Sequence, residues 1–364
     1  MKKYTTLVAS LLIYFLTQAQ APIQFHSVSD LTILGRSFPA QTTYRRFPDS
    51  LAPLLRAPVW QFSTNSAGIA VYFESNSKQI SAKWKTGANA SYPHVAATLV
   101  KGIDLYALDH GQWYYVGIGK PNQPIYQEAS IIKGLDGSPR QYLMYLPDYE
   151  TTDSLLIGID SSALIQPISH SVFANKKPIV FYGTSIVQGA SAMRSGMAYP
   201  AIIERRLQTE TINLGFSGNG LLDSMLSVIM SQVDASCYVI DCGPNLTVEQ
   251  AAERTVPFLK QLRKRRPNTP ILLVEQIEYP TARFVVSIDE KIKAVNKIFL
   301  DAFNQLEKEG YKDIYYQSAN GLIGSDGEAT VDGVHLTDLG FYRMAEVLTK
   351  KLQTILVPQQ PYLP

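Results

Sequence analysis

The stretch 178-PIVFYGTSIVQGA-190 joins a short apolar run to a Gly-Thr-Ser turn that leads into a helix. The same alternation of apolar run and helical spacing continues to the end of the chain. The other apolar runs are 211–214, 237–240, 271–274 and 313–316, and helical spacing covers 198–207, 221–229, 248–265, 287–309 and 337–352. Strands that alternate with helices predict an α/β fold with a five-stranded parallel sheet covered on both faces.

The N-terminal half has a different periodicity. Short runs rich in β-branched and aromatic residues occupy 69–73, 79–84 and 141–146, separated by turn signals such as Asp136-Gly137. No amphipathic helical stretch of useful length stands out between 25 and 174. Closely spaced short strands predict an antiparallel β-sandwich of jelly-roll-like type.

Length and charge limit the classes of function. A chain of 364 residues is long enough for about two domains, which we place at 22–175 and 176–364. The net charge of +2 offers nothing to attract a polyanion, so we expect no nucleic-acid partner.

The first 21 residues have the pattern of a secretory signal peptide. Lys2 and Lys3 precede an apolar run at 7–16, and Ala19 and Ala21 offer two alternative cleavage sites. The alternative is a membrane-anchored N-terminus, but a stable anchor needs about 20 apolar residues. We therefore expect a secreted protein without a stable membrane anchor.

The chain has two cysteines, Cys237 and Cys242, and both fall in one predicted strand. Five residues of strand separate Cα atoms by roughly 16 Å, far beyond the reach of a disulfide. The sequence predicts two free, buried thiols.

Ligands of a parallel sheet bind at the carboxyl ends of its strands, so the loops there are the place to look for chemistry. Ser185 follows the first run and is the candidate nucleophile. His335, after the last run, is the candidate base that takes its proton, and Asp332 is three residues away to orient the imidazole. Taken singly, Ser185 could instead be a helix N-cap, and Asp332 a turn residue.

Acyl transfer also needs donors for the oxyanion. The candidates are the Ser185 and Gly218 N–H groups and the side-chain amide of Asn245. The alternatives are structural: Gly218 could be a turn glycine, and Asn245 could cap the following helix.

Other chemistries lack their motifs. The chain has no Gly-x-Ser-x-Gly elbow and no phosphate-binding loop, and its five histidines show no metal-ligand spacing. We therefore expect no metal and no cofactor. Glu275 and Glu278 lie too close together, at one strand end, to flank a glycosidic bond. One of them is expected to shape the pocket or bond a loop.

The blocks 183-GTSI-186, 213-NLGFSG-218, 243-GPN-245 and 332-DGVH-335 resemble the SGNH (GDSL-like) hydrolases, over about half the chain. The resemblance implies a flavodoxin-like sheet and assigns Ser185, Gly218, Asn245 and His335 to the four family residues, with Asp332 as the acid. Thr184 stands where the family has Asp, Ile186 stands where it has Leu, and Pro244 and Leu246 alter the third block. In the N-terminal half, 102-GIDLY-106 resembles the Gly-x-Asp-Leu-Tyr motif of sandwich domains that precede some secreted members.

These relatives imply a secreted serine esterase that removes short acyl groups, acetyl above all, from a carbohydrate. Its partner would be a small-molecule or oligosaccharide ester, and the sequence does not determine the oligomeric state. Two alternatives remain open. One is a glycan-binding protein with a degenerate hydrolase domain, and the other is a lipase or thioesterase.

Overall fold

The computed structural model describes residues 21–356; the predicted signal peptide lies almost wholly outside them. Antiparallel strands come first along the chain. They and two short helices are β1 (Ile23–Ser27), β2 (Thr32–Leu34), α1 (Ala57–Ser63), β3 (Ala70–Ser75), β4 (Gln79–Thr86), α2 (Ala97–Val100), β5 (Ile103–Asp109), β6 (Gln112–Gly119), β7 (Tyr126–Lys133), β8 (Arg140–Tyr145), β9 (Thr152–Asp160) and β10 (Ile165–Gln166).

These strands form two sheets, with orders β1-β9-β4-β7 and β10-β3-β8-β5-β6, and β2 pairs with β3. The alternating side chains of Ile80, Ala82 and Trp84 on β4 pack in one core with Phe73 of β3 and Met144 of β8. Side chains from both sheets thus share one buried layer, which confirms the predicted antiparallel sandwich.

Strands and helices alternate in the rest of the described chain. They are β11 (Ile179–Gly183), α3 (Ser185–Gln188), α4 (Tyr199–Leu207), β12 (Thr211–Gly215), α5 (Ser224–Met230), β13 (Cys237–Asp241), α6 (Val248–Arg265), β14 (Ile271–Val274), α7 (Val286–Lys308), β15 (Ile314–Gln317) and α8 (Asp338–Leu356). The strands form one parallel sheet of order β12-β11-β13-β14-β15, so the predicted five-stranded α/β fold is confirmed.

Alternate residues of β11 explain why helices cover both faces of this sheet. Phe181 packs in one core with Tyr199 of α4 and Leu348 of α8. Its neighbour Tyr182 packs in the opposite core, where its ring stacks on Phe258 of α6. A strand buried on both faces reads as a continuous apolar run, as the sequence of β11 does.

The register of the sheet brings three strand ends together. Gly183 pairs with Gly215 on one side and with Asp241 on the other. A Cβ at Gly183 would lie 2.2 Å from the Asp241 carbonyl oxygen, so only glycine fits there. The segments that follow β11, β12 and β13 therefore leave the sheet at one edge.

The Gly-x-Asp-Leu-Tyr motif joins the sandwich to the parallel-sheet half. Asp104 of β5 accepts hydrogen bonds from Arg194 Nη1 and from the Gly196 N–H, both at 2.9 Å. Tyr106 accepts a hydrogen bond from Arg194 and packs its ring against Arg205, 3.8 Å from the guanidinium carbon. The motif residues thus contact α4 and the segment between α3 and α4.

Both cysteines are free and buried, as predicted. Cys237 begins β13, whereas Cys242 lies one residue beyond its end rather than within it. Burial raises the pKa of the Cys237 thiol to about 12, so this group stays protonated and acts as a small apolar side chain.

Candidate active site

Ser185 is the first residue of α3, directly after the turn that ends β11. Thr184 caps this short helix, because its Oγ1 accepts the Ile186 N–H at 3.2 Å. The Ser185 side chain is therefore held at the sheet edge, with its Oγ 3.0 Å from Nε2 of His335. The fold brings together two residues that are 150 positions apart in the chain.

The segment Thr330–Leu336, here called the Asp332 loop, holds His335 in place. It is closed at its base by the bridge between Thr330 and Leu336. Within it, Asp332 Oδ1 accepts the backbone N–H groups of Val334 and His335, at 3.0 and 2.8 Å. Asp332 Oδ2 lies 2.8 Å from His335 Nδ1.

The charge on Asp332 follows from these contacts. Partial burial acts to raise the pKa of this carboxyl, but the hydrogen bonds from the His335 side chain and backbone outweigh it and lower the pKa to about 2. An ionised Asp332 accepts a hydrogen bond from the Nδ1–H group, which leaves the Nε2 lone pair to accept the Ser185 hydroxyl. This is the arrangement that activates a serine for nucleophilic attack.

The loop after β12 lies against the Gly183–Thr184 turn: a Cβ at Gly220 would lie 2.6 Å from the Gly183 carbonyl carbon. Within this loop Gly218 has φ +68°, and a Cβ added to it would meet no atom within 4 Å. In the described part of the chain, neither the Gly218 N–H nor the Ser185 N–H has a hydrogen-bond acceptor. Both are free to donate to a substrate oxygen.

Asn245 ends the 3-10 turn Gly243–Asn245 that follows β13. Its Oδ1 accepts the Gly220 N–H at 3.1 Å, which leaves the Nδ2 amide as the end that can donate elsewhere. Asn245 is thus attached to the same loop that carries Gly218. The structure brings all five predicted site residues to one edge of the sheet.

Three of the departures from the family pattern have structural explanations. Thr184 is the cap of α3. Pro244 stands in the first turn of the 3-10 segment, where a missing N–H costs nothing. Leu246 is fully buried in the core between the sheet, α5 and α6.

His94 is a site residue that the sequence analysis missed. It belongs to the segment between β4 and α2, yet its ring stacks on that of His335. The Ser191 hydroxyl donates to the His94 carbonyl at 2.8 Å and so holds this segment against the parallel-sheet half. The sequence carries no signal for this contact, since His94 has no characteristic spacing to the other site residues.

His94, Asp332 and His335 place possible metal-ligand atoms within 4.8 Å of one another, although their spacing along the chain did not suggest it. Both ring nitrogens of His335 already have partners in Ser185 and Asp332. The two imidazoles lie in nearly parallel planes, so their lone pairs do not converge on one point. The arrangement suits proton transfer better than metal binding.

Two carboxyls behind the site, the buried Asp241 and the half-buried Glu275, have structural contacts. Burial raises the pKa of Asp241 to about 7, with Tyr199 donating to Oδ2 at 3.0 Å. Glu275 accepts hydrogen bonds from the Ala319 N–H and from Tyr316, so it bonds a loop, as expected for one of the two glutamates. Glu278 is exposed.

Two family models match the chain. Residues 176–353 match the GDSL-like lipase/acylhydrolase family, and residues 23–165 match the N-terminus of the SGNH-hydrolase type of esterase. No curated protein matches. None of the helices within residues 21–356 has the length and apolar character required to span a bilayer.

Solved structures resemble the chain over nearly its whole length. A putative GDSL-like lipase from Bacteroides ovatus is 33% identical, with 92% of this chain and 98% of that chain covered and a TM-score of 0.87. A salicylyl-acyltransferase from a tetracycline biosynthetic pathway is 17% identical, with 92% of this chain and 98% of that chain covered and a TM-score of 0.74. An acetyl xylan esterase from the rumen bacterium Butyrivibrio proteoclasticus is 12% identical, with 93% of this chain and 99% of that chain covered and a TM-score of 0.57.

The acyltransferase and the acetyl xylan esterase are similar to this chain in fold alone. The similarity to the GDSL-like lipase from Bacteroides ovatus, together with the two family models, shows that this protein is an ester hydrolase of the GDSL-like lipase/acylhydrolase family.

Proposed function

We propose that this protein is a secreted serine esterase that removes short acyl groups, acetyl above all, from a carbohydrate. The observation that carries the proposal is the distance of 3.0 Å between Ser185 Oγ and His335 Nε2, with Asp332 on the other ring nitrogen. No metal or cofactor takes part in the chemistry derived below.

Ser185 attacks the ester carbonyl while His335 takes its proton, and the carbonyl electrons move onto the oxygen. The N–H groups of Ser185 and Gly218 and the Asn245 amide donate to that oxyanion. The intermediate collapses as the alcohol leaves with the proton from His335. Water, deprotonated by His335, then releases the acid and restores Ser185.

Replacing the nucleophile tests the proposal. Ser185→Ala should abolish turnover of p-nitrophenyl acetate and of an acetylated oligosaccharide, with an unchanged thermal melting curve. Ser154→Ala, at an exposed position of β9, is the matched control and should leave both rates intact. Equal activity in Ser185→Ala and the unmodified protein would reject the mechanism.

A fluorophosphonate probe separates the enzyme from a glycan-binding protein with a degenerate site. The proposal expects covalent labelling at Ser185 that Ser185→Ala prevents. Glycan binding without labelling would support the binding protein instead.

One observation favours a second candidate, an esterase for longer acyl chains. Three consecutive apolar side chains, Phe284–Val286, are exposed where the turn Pro280–Arg283 leads into α7. A series of p-nitrophenyl esters from two to twelve carbons decides between the two. A preference for eight or more carbons would replace the carbohydrate acetate with a lipid or thioester substrate.

Secretion is supported by the N-terminal sequence pattern. Fractionation of the native host, with N-terminal sequencing of the exported protein, should find a chain that begins at Gln20 or Pro22. A chain that starts at Met1 and stays with the cell would contradict it.

A further inference from the structure

Ligand sites are commonly cavities of about 300–1,000 Å³, and one of about 500 Å³ lies beside the Asp332 loop. It is here called the side cavity. Its wall comes from the segment after β14 and from the loop after β15. The lining residues used below are Glu278, Tyr279, Arg283, Phe284, Asn320 and Asp326.

The side cavity shares a wall with the Asp332 loop. Ala329, which lines the cavity, accepts the Thr337 N–H at 2.9 Å and so forms the base of that loop. On the other side, a Cβ at Gly333 would lie 3.1 Å from Thr281 Cγ2, within the turn whose ends line the cavity. Tyr279, which also lines the cavity, is close enough to the site for its charges to act on it. Burial raises the pKa of Tyr279, and the negative charges of Asp241 and Asp332 raise it further.

The proposed mechanism indicates which part of the ester would occupy the side cavity. The oxyanion donors Gly218 and Asn245 lie on the loops after β12 and β13. The leaving alcohol must receive its proton from His335, which belongs to the Asp332 loop. The cavity adjoins the loop that carries this proton donor, and neither Gly218 nor Asn245 lines it.

The lining has the chemistry of a site for a neutral sugar. The Phe284 side chain is 83% exposed, which is unusual for an aromatic ring and leaves its face available to an apolar sugar face. Within the described residues, Arg283 has no ion pair and the Asn320 side chain has no hydrogen bond. Both can donate to hydroxyl groups.

The charges around the side cavity do not select an ion. Arg343 bonds both oxygens of Asp326, at 2.9 and 2.7 Å, and neutralises that carboxylate. Arg283 and Glu278 contribute one charge of each sign. A polyhydroxylated neutral ring therefore fits this lining better than an anionic ligand does.

We propose that the side cavity is the subsite for the sugar that carries the ester, with Phe284 as the stacking platform and Arg283 and Asn320 as hydrogen-bond donors. This inference rests on the proposed function, since it assumes that the alcohol of the ester is a carbohydrate. It adds where the sugar binds and which residues recognise it.

Two substrates test the subsite, because p-nitrophenyl acetate carries no sugar. Phe284→Ala and Asn320→Ala should each lower kcat/KM for an acetylated xylo-oligosaccharide by about tenfold, mainly through KM, a loss that corresponds to about 1.4 kcal/mol. Both variants should keep kcat/KM for p-nitrophenyl acetate within about twofold. Tyr126→Ala removes an exposed aromatic ring from β7 in the sandwich and should change neither rate.

Unchanged oligosaccharide kinetics in both variants would overturn the subsite. An equal loss on both substrates would also overturn it, since that pattern indicates a damaged fold. With p-nitrophenyl octanoate assayed as a third substrate, a loss confined to it would overturn the sugar subsite and assign the cavity to an acyl chain. Failure of the proposed function is visible separately, as p-nitrophenyl acetate turnover that survives Ser185→Ala.

Discussion

The imidazole rings of His94 and His335 stack with their centroids 4.8 Å apart and their planes 27° apart. His94 comes from the antiparallel half and His335 from the Asp332 loop. The proposed catalytic base is therefore covered on one face by a residue of the other half of the chain. This contact makes the N-terminal half a part of the site.

Removing the ring of His94 should affect turnover more than binding. His94→Ala is expected to lower kcat on p-nitrophenyl acetate by about tenfold with little change in KM, because His335 loses the contact that fixes its ring plane between Ser185 and Asp332. His94→Phe keeps a flat ring and should retain most of kcat. His170→Ala, at an exposed position, is the control. If His94→Phe loses as much as His94→Ala, a nitrogen of His94 matters and not its ring face.

Asn245 offers a test of the oxyanion donors. Asn245→Ala should lower kcat by about 10²- to 10³-fold, the usual cost of one such donor. Thr247→Ala is the matched control, since Thr247 caps α6 two residues later and its side chain accepts the Gln250 N–H. That variant should lose about 1 kcal/mol in the free energy of unfolding but keep kcat. A full kcat in Asn245→Ala would remove Asn245 from the oxyanion site.

Local patterns predicted much of this structure. The apolar runs became strands whose bounds lie within two residues of the prediction. The runs of the parallel sheet were recognisable because burial on both faces of a sheet requires a continuous apolar run. The pair Asp332 and His335 was also visible, since a carboxylate three residues before an imidazole can bond it within one loop.

Contacts between distant segments were not visible in the sequence. His94 reaches His335 only because the segment after β4 packs on the parallel-sheet half. The helix α1 was missed as well: it has seven residues and begins with Ala57 and Pro58, too short for a helical period to stand out. The proposed boundary between residues 175 and 176 stays a prediction and falls between β10 and β11.

The ion pair of Asp104 and Arg194 should stabilise the contact between the halves. The Asp104 side chain is 1% exposed, and Asp104→Asn leaves Arg194 without its counter-charge. We expect a loss of about 2–4 kcal/mol in the free energy of unfolding, measured by urea denaturation. Asp136→Asn breaks the pair with Arg140, in which Asp136 is 58% exposed, and should cost less than about 1 kcal/mol. Equal losses would mean that burial of the Asp104 pair has no energetic consequence.

Asp241 gives the stability a pH dependence whose sign can be derived. Burial raises the pKa of its carboxyl from 3.8 to about 7 in the folded protein. The folded state thus holds this proton more tightly than the unfolded chain does. The contribution of Asp241 to stability is complete below about pH 4 and is lost as the pH rises through 7.

Asp241→Asn removes the titration but keeps an oxygen that can accept the Tyr199 hydroxyl. Relative to the unmodified protein, the variant should gain on the order of 1–3 kcal/mol in the free energy of unfolding at pH 8 and about a quarter of that gain at pH 4.5. Burial also raises the pKa of Glu204 to about 7. Because Glu204 is present in both proteins, the difference between their free energies of unfolding isolates Asp241. Urea denaturation at the two pH values measures it. A difference that is the same at pH 4.5 and pH 8 would show that Asp241 does not titrate between them in the folded protein.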